Sequence, residues 1–345
     1  MKIANKRISP SAKPYIIAEI SGNHNGEINR AIKLIEAAAN AGADAVKLQT
    51  YTAETITLNS DSDDFKVNGG LWDGYTLHEL YEWAHTPWDW HPILFKKAAE
   101  LNIDIFSSPF DATAVDFLES LNVPAYKIAS FELIDLPLIK KVAETGKPII
   151  MSTGMANLDE IKDAVAVAKQ YGSGEICVLH CISGYPTPPE QSNLLTIKKL
   201  QTELNVPIGL SDHTLGNTTA IAATALGACV IEKHFTLCRD DGGPDAAFSL
   251  EPTELTELCH DVNIAWQSLG KEGFEHKEAE KGNVKFRRSL YACKHIKKGE
   301  RITQEHIKSV RPGFGLPPKD YDSVLGKVAK QDIPFATPLN WQLLE

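Results

Sequence analysis

Residues 15–50, YIIAEISGNHNGEINRAIKLIEAAANAGADAVKLQT, contain a complete strand–helix–strand pattern. YIIAEI and AVKLQT are short runs rich in apolar residues, which predict strands. NRAIKLIEAAANAG has apolar residues near the i, i+3, i+4 spacing of an amphipathic helix. A glycine ends this helical stretch, as is typical of a helix C-cap. The stretch therefore predicts a strand, a helix and a second strand that begins the next unit.

The same unit recurs along the chain from Tyr15 to Gly270. The eight candidate strands are residues 15–20, 45–50, 104–110, 125–130, 148–153, 176–181, 207–212 and 230–235. Eight strand–helix units in roughly 250 residues are typical of a closed (β/α)8 TIM barrel, whereas a doubly wound open sheet normally has fewer strands. We therefore predict an α/β fold with a TIM-barrel domain in residues 1–280.

The overall composition is that of a globular protein. Of 345 residues, 43% are hydrophobic and 23% are charged, which excludes a disordered or fibrous chain. No apolar run reaches the roughly 18 residues of a membrane span, and the N-terminus lacks the apolar stretch of a secretory signal. The six cysteines form no CxxC pair, so we expect reduced core residues. We predict a soluble cytoplasmic protein with no membrane or nucleic-acid partner.

The net charge of −10 conceals two parts of opposite sign. Residues 283–345 contain 12 Lys and Arg and 6 Asp and Glu, a net charge of +6, whereas residues 1–282 contain 23 basic and 39 acidic residues, a net charge of −16. Short strands interrupted by Gly and Pro in the basic part indicate a small β-rich module, residues 281–345, which is expected to dock on another surface.

Polar residues end nearly every predicted barrel strand, where active sites of this architecture are built. They are Glu19, Lys47, Gln49, Ser107, Ser108, Lys127, Ser130, Glu132, Ser152, Thr153, His180, Ser211, Asp212, His213, Glu232 and His234. Two lysines and several serines at one mouth predict an anion, with phosphate and carboxylate groups. The alternative is a structural network in which the two lysines pair with Glu19 and Glu132.

His213 and His234 end the seventh and eighth strands, which are neighbours in a closed barrel. Two imidazoles there predict one shared divalent cation, with water and substrate oxygens completing an open site that suits Mn²⁺ better than a closed zinc site. The alternative is that each histidine only forms hydrogen bonds.

The connection over residues 51–90 is much longer than the others and contains four of the six tryptophans, Trp72, Trp83, Trp88 and Trp90. Long loops on the catalytic side of a barrel are usually functional, and these aromatic rings can wall a sugar site. Alternatively, they pack the connection onto its own short helix, LHELYEWA.

Several motifs occur in the order found in one known family. These are AEISGNHNG, VKLQTY, SSPFD, YKIASFE, MSTGM, HCISGYPTP, GLSDHTLG, IEKHFTL and GPDAAFSLEP. They resemble the sialic acid synthase family, and the combination of SDHT, EKHF and GPD is specific to it. KGERIT and RPGFGL in the basic part resemble the antifreeze-like (SAF, β-clip) domain of that family. The match extends over almost the whole chain.

The resemblance implies an enzyme that condenses phosphoenolpyruvate with an open-chain N-acetylated amino sugar and releases phosphate. Lys47 is then expected to hold the phosphoenolpyruvate carboxylate. The residues expected around its phosphate are Ser108, Lys127, Ser130, Ser152, Ser183 and Ser211. Those expected at the sugar, the water or the proton transfers are Glu19, Gln49, Glu132, Tyr185 and Asp245.

The resemblance also implies a cofactor and an assembly. His213 and His234 are expected to bind the divalent metal, Mn²⁺ with Mg²⁺ or Co²⁺ as alternatives. Arg311 is expected to reach from the antifreeze-like domain into a partner subunit's barrel, in a domain-exchanged homodimer.

Two positions depart from the family pattern, Ser183 in place of Asn and Phe131 in place of Gly. Phe131 and the tryptophan-rich connection favour a 6-deoxy sugar, a diacetamido trideoxy-altrose; the alternatives are the N-acetylneuraminate and legionaminate precursors. A non-catalytic, ice-binding role for the antifreeze-like domain is the other alternative. The charges of Lys297, Lys298 and Glu300 argue against a flat, apolar ice face.

Overall fold

The computed structural model describes all 345 residues. The chain forms two compact units, Met1–Gly270 and Lys271–Glu345. Residues 271–280, which the sequence prediction grouped with the barrel, cluster with the second unit.

The first unit is a closed barrel of eight parallel strands. It begins with a short antiparallel hairpin, β1 (Lys2–Ile3) and β2 (Lys6–Arg7), and the barrel strands are β3 (Tyr15–Glu19), β4 (Ala45–Thr50), β5 (Asp104–Pro109), β6 (Tyr126–Ile128), β7 (Ile149–Ser152), β8 (Ile176–Cys181), β9 (Ile208–Asp212) and β10 (Val230–His234). The last strand pairs with the first, from Val230 opposite Tyr15 to His234 opposite Glu19. The predicted (β/α)8 barrel is therefore confirmed.

Helices surround the barrel, and most of the apolar core lies between them and the strands. They are α1 (Ile28–Ala41), α2 (Ala53–Ile56), α3 (Leu77–Ala84), α4 (His91–Glu100), α5 (Ala112–Ser120), α6 (Leu136–Ala143), α7 (Leu158–Tyr171), α8 (Thr196–Leu204), α9 (Thr218–Ala225) and α10 (Pro252–Leu269). Helix α1 buries Ala31, Leu34, Ile35 and Ala38, the stripe that its i, i+3, i+4 pattern predicts.

A second apolar cluster fills the amino end of the barrel. Ile3 and Ile8, from the N-terminal hairpin and the residue after it, are fully buried and pack with the inward-facing Ile17, Phe106 and Ile150. The hairpin thus covers this end of the barrel, which leaves the carboxyl ends of the strands as the end that carries the polar side chains.

The second unit contains α11 (Glu278–Lys281), β11 (Ser289–Ala292), β12 (Ile307–Val310) and α12 (Tyr321–Val324). Strands β11 and β12 pair antiparallel, and isolated bridges such as Ile296 with Ile333 extend the β structure. This unit has an apolar core of its own. None of the helices in the chain combines the length and the apolar character needed to cross a membrane. All six cysteines are free thiols.

Candidate active site

Lys47 lies between two carboxylates at the carboxyl end of the barrel. Its ammonium Nζ is 2.8 Å from Glu19 Oε2 and 3.5 Å from Glu232 Oε1, and all three side chains are buried. Strands β3, β4 and β10 are neighbours because the barrel closes between β10 and β3. Barrel closure therefore brings together one cation and two carboxylates that lie far apart in the sequence.

Glu232 also contacts the second lysine. Lys127 Nζ is 3.5 Å from Glu232 Oε1, and Ser211 Oγ donates a 3.2 Å hydrogen bond to the same oxygen. The sequence analysis listed Glu232 among the polar residues at strand ends and assigned it no role. The alternative, a structural network of the two lysines with Glu19 and Glu132, is correct for one pair, because Lys47 contacts Glu19. The salt-bridge partner of Lys127, however, is Glu232 and not Glu132.

The charges at this centre perturb one another. The pKa of Glu19 is raised to about 7, mainly by burial; Lys47 opposes this shift and Glu232 adds to it. Burial also lowers the pKa of Lys127, which lies near Lys47. Burial opposes ionisation of Glu232, but Lys127 and Lys47 outweigh it and hold the pKa of this carboxyl below its usual value. Carboxyl and ammonium groups with shifted pKa values in a barrel mouth are typical of an active site.

Serine hydroxyls line the same mouth. Lys47 Nζ donates a 3.4 Å hydrogen bond to Ser108 Oγ, and the Ser130 and Ser183 hydroxyls are 2.9 Å apart. The Ser152 hydroxyl is buried and has no hydrogen-bond partner within the protein. A buried polar atom without a partner is costly unless a ligand or water satisfies it, so Ser152 is available to an anion held by the lysines.

His213 and His234 lie side by side, with ring centroids 5.4 Å apart. His213 Nδ1 is 2.8 Å from the Ile182 carbonyl oxygen, which can only accept, so Nδ1 carries a proton and Nε2 is the nitrogen left for a metal ion. His234 Nδ1 is buried without a hydrogen-bond partner and lies 3.6 Å from Asp245 Oδ2. Burial, with His213 next, holds the pKa of His234 well below its ordinary value.

These two imidazoles fit an open divalent site. A carbonyl behind one ring nitrogen is the usual way in which a protein orients a histidine ligand. No group of three or more His, Cys, Asp or Glu side chains is arranged to hold a metal ion by itself. A cation bound here would therefore need water or substrate oxygens as further ligands, as catalytic sites do.

A cavity of about 380 Å³ opens beside the histidines. Its polar lining residues, together called the polar wall, include Gln49, Ser130, Glu132, Tyr185, His234 and Asp245. Its apolar lining residues, together called the apolar wall, include Tyr51, Ile56, Val67, Trp72, Leu77, Leu80, Tyr81, Phe110 and Phe131. A lining of both kinds suits a ligand that carries both hydroxyl and methyl groups.

The polar wall is organised around carboxylates. Gln49 Nε2 donates a 3.1 Å hydrogen bond to Glu19 Oε1, and the Tyr185 ring packs on His213 with centroids 4.4 Å apart. Burial raises the pKa of Glu132 to about 7, and one of its oxygens is buried without a partner. Burial also raises the pKa of Asp245. Every barrel residue that the sequence singled out for substrate or metal lies at this end of the barrel.

The four tryptophans of residues 51–90 divide between the two sequence interpretations. Trp83 stacks on Tyr75, Trp88 stacks on Phe117, and Trp90 packs edge-on with His24, so these three pack against protein side chains. Trp72 alone among them lines the cavity.

Trp72 links the segment over residues 51–90 to the rest of the site. Its indole Nε1 donates a 2.8 Å hydrogen bond to the carbonyl oxygen of Pro244, the residue before Asp245. Its ring centroid is 5.8 Å from that of Tyr185. One side chain therefore spans from the connection to the loop that carries Asp245.

Arg311 belongs to the second unit, where it follows strand β12. Its side chain is exposed and makes no ion pair.

Comparisons with known proteins cover almost the whole chain. Residues 34–273 match the NeuB family and residues 287–345 match the SAF domain. The chain is 45% identical to pseudaminic acid synthase from Helicobacter pylori over 95% of its own length and 96% of that protein. It is also 45% identical to pseudaminic acid synthase from Campylobacter jejuni, over 98% of each chain.

A solved structure agrees with these sequence matches. The structure of N-acetylneuraminic acid synthetase from Leptospira borgpetersenii in complex with citrate superimposes with a TM-score of 0.74 at 31% identity, over 82% of this chain and 94% of that one.

Proposed function

The chain belongs to the NeuB family, and from this premise we propose that it is a pseudaminic acid synthase. The proposed reaction condenses phosphoenolpyruvate with 2,4-diacetamido-2,4,6-trideoxy-L-altrose and gives pseudaminic acid and phosphate. The observation that carries the proposal is the pair of buried lysines at the barrel mouth, next to hydroxyls that include the unpartnered Ser152. Phosphoenolpyruvate is a product of central metabolism, so we place the reaction in the cytoplasm.

Phosphoenolpyruvate carries a carboxylate and a phosphate, and two cations favour such a ligand. We assign the carboxylate to Lys47. The phosphate is assigned to Ser108, Lys127, Ser130, Ser152, Ser183 and Ser211. An incoming carboxylate would compete with Glu19 for Lys47, and the raised pKa of Glu19 makes protonation of that carboxyl inexpensive.

The condensation needs one carbon–carbon bond and one water. The methylene carbon of phosphoenolpyruvate attacks the sugar aldehyde carbon, water adds to the neighbouring carbon, and the resulting tetrahedral centre collapses with loss of phosphate. Lys127 and the serines stabilise charge on the departing phosphate. Glu19 and Glu132, with pKa values near 7, are the candidates for proton transfer to the aldehyde oxygen and from the water.

A divalent cation, with Mn²⁺ as the first candidate, would be held by the nitrogens of His213 and His234. When bound, it would supply Lewis-acid polarisation of the sugar aldehyde. Asp245, 3.6 Å from His234, is positioned to orient that ring or a nearby water.

The cavity supports a deoxy sugar with two acetamido groups. Its apolar wall, which includes Trp72, Leu77 and Tyr81, is suited to methyl groups, whereas its polar wall is suited to hydroxyl and amide groups. Phe131, which also lines the cavity, reduces the space for a larger polar substituent.

We further propose a domain-exchanged homodimer. Exposed apolar side chains occur in loops that follow barrel strands, at Phe131, Ile134, Met155, Leu195 and Leu215. Arg311 is exposed near Phe314, which is 69% exposed. A basic second domain from a partner subunit would be attracted to the acidic barrel domain, cover its partly apolar mouth and deliver Arg311 to an anionic substrate.

The test is a product analysis with three sugars. The protein, phosphoenolpyruvate and Mn²⁺ are incubated with the diacetamido trideoxy-altrose, with N-acetylmannosamine and with the corresponding legionaminate precursor. Phosphate release and product mass are then measured. We expect turnover with the altrose sugar. Turnover only with N-acetylmannosamine, or only with the legionaminate precursor, would replace the proposed substrate, and no phosphate release with any sugar would contradict the reaction.

A further inference from the structure

Lys233 and Asp212 form a buried ion pair beside the active site. They lie opposite each other on strands β10 and β9, with Nζ 2.9 Å from Oδ2, and each side chain is 1% exposed. The preceding residues, Glu232 and Ser211, are also paired in register and bond to each other at the barrel mouth. Because side chains alternate along a strand, Lys233 and Asp212 point to the opposite side, away from the barrel interior.

A buried ion pair needs an explanation, because removing two charges from water is unfavourable. Here the ammonium is fully used. Besides Asp212, Lys233 Nζ donates to the carbonyl oxygens of Thr214 at 2.7 Å and Gly216 at 2.8 Å, which accounts for its three donors. Asp212 Oδ1 accepts a 2.9 Å hydrogen bond from the Thr214 backbone N–H. The pair therefore holds the turn over residues 212–216 against strand β10.

That turn carries one of the two candidate metal ligands, and Lys233 immediately precedes the other. His213 lies between Asp212 and Thr214, and both of these neighbours bond to Lys233 as well as to each other. His213 is also held by the residue after strand β8, since its Nδ1 donates to the Ile182 carbonyl, and its own carbonyl accepts a 3.0 Å bond from the Thr187 N–H. Lys233 therefore bonds to the residues on both sides of His213 in the sequence.

We infer that Lys233 is a positioning residue, which sets the spacing of His213 and His234 and thereby the affinity for the divalent cation. This inference rests on the proposed function for its metal. The two histidine nitrogens fill only part of the coordination shell of the cation. Its affinity therefore depends on their spacing, because no third protein ligand compensates for a misplaced ring. The three hydrogen bonds from the Lys233 ammonium hold the turn over residues 212–216, and with it His213, at one distance from strand β10 and His234.

The test compares Mn²⁺ affinity, measured by electron paramagnetic resonance of free Mn²⁺, in the wild type and in Lys233 variants. In Lys233→Gln the amide cannot replace three ammonium donors, and in Lys233→Arg the charge remains while the bond directions change. Asp212→Asn combined with Lys233→Gln removes both charges and so avoids an unpaired buried carboxylate. Lys97→Gln removes a lysine–carboxylate bond to Glu36 on the outer helices and is the matched control.

We expect the Mn²⁺ dissociation constant to rise about 10- to 100-fold in each Lys233 variant that retains the wild-type circular dichroism spectrum, the range typical of groups that support metal ligands. Saturating Mn²⁺ should restore most of kcat, and Lys97→Gln should bind Mn²⁺ like the wild type. The double variant and Lys233→Arg keep the test informative if Lys233→Gln does not fold. A folded Lys233 variant with wild-type Mn²⁺ affinity would overturn the inference alone, whereas a wild type that binds no Mn²⁺ would overturn both it and the proposed metal site.

Discussion

Lys47 and Glu19 face each other on neighbouring strands, with Nζ 2.8 Å from the carboxylate oxygen and both side chains buried. Two charges held out of water in this way stabilise each other only while both are present. In a substrate site the same arrangement keeps the Lys47 ammonium available to a substrate anion, because the anion can replace Glu19 as its partner.

Removing Lys47 alone should destabilise the barrel more than removing the pair. Lys47→Met leaves Glu19 uncompensated, and we expect a loss of roughly 3–5 kcal/mol in the free energy of unfolding. Adding Glu19→Gln should recover part of this loss but none of the activity, because the proposed carboxylate contact stays absent. Urea unfolding and phosphate release measure the two effects. Lys97→Met, at the more exposed pair with Glu36, is the control; a double variant no more stable than Lys47→Met would contradict the prediction.

Activity should depend on a divalent metal through the two histidines. Wild type treated with a chelator should lose phosphate release, and Mn²⁺ should restore it, with Mg²⁺ and Co²⁺ compared alongside. His213→Ala and His234→Ala should fall to background and should not recover with added metal, because two protein nitrogens leave no reserve ligand. Full turnover by the wild type in excess chelator would remove the metal from the proposed reaction.

Glu132 should make stability depend on pH. Its pKa is about 7 in the folded protein against an ordinary value of 4.5, so the folded state binds more protons between these values. The free energy of unfolding contributed by this group is therefore present below about pH 4.5 and is lost as pH rises towards 7. Glu132→Gln should weaken this decline in urea unfolding measured from pH 5 to 8, while the part contributed by Glu19, whose pKa is also raised to about 7, remains. The exposed Glu257→Gln should not, and parallel profiles for wild type and Glu132→Gln would contradict the assignment.

Trp72 should determine which sugar is accepted. Trp72→Phe keeps an aromatic ring and loses the bond to the Pro244 carbonyl, which should lower kcat/KM about three- to tenfold. Trp72→Ala opens the apolar wall and should reduce the preference for the deoxy sugar over N-acetylmannosamine about tenfold or more. The ratio of kcat/KM values for the two sugars is the measurement, and Trp83→Ala is the control because its ring stacks on Tyr75 outside the cavity. An unchanged ratio in Trp72→Ala would argue against this role.

Arg311 should act across subunits. Co-expression of Arg311→Ala with His213→Ala should give heterodimers in which one of the two sites combines an intact barrel with an intact arginine. Random pairing then predicts roughly a quarter of wild-type activity, although each variant alone is inactive. Light scattering checks that the mixture is dimeric. No activity in a dimeric mixture would indicate that Arg311 acts on its own chain, and activity of Arg311→Ala alone would indicate that the arginine is not needed.

The periodicity of apolar residues and the polar residues at predicted strand ends determined much of the architecture. Eight alternations of apolar runs with helical patterns identified the barrel, because each strand must bury its face and each helix a stripe. Polar residues at strand ends, such as Lys47 and His213, identified the mouth as the site, since parallel strands bring all their carboxyl ends to one side.

Which side chains bond to one another follows only from the tertiary structure. Glu232 bridges Lys47 and Lys127 because the barrel closes between β10 and β3, and that closure joins residues almost at opposite ends of the first unit. Trp72 reaches Pro244, and Lys233 reaches Gly216, through turns whose paths no local pattern specifies. Propensity and periodicity act over a few residues, whereas hydrogen bonds and ion pairs depend on register and direction in three dimensions, which the folded chain alone supplies.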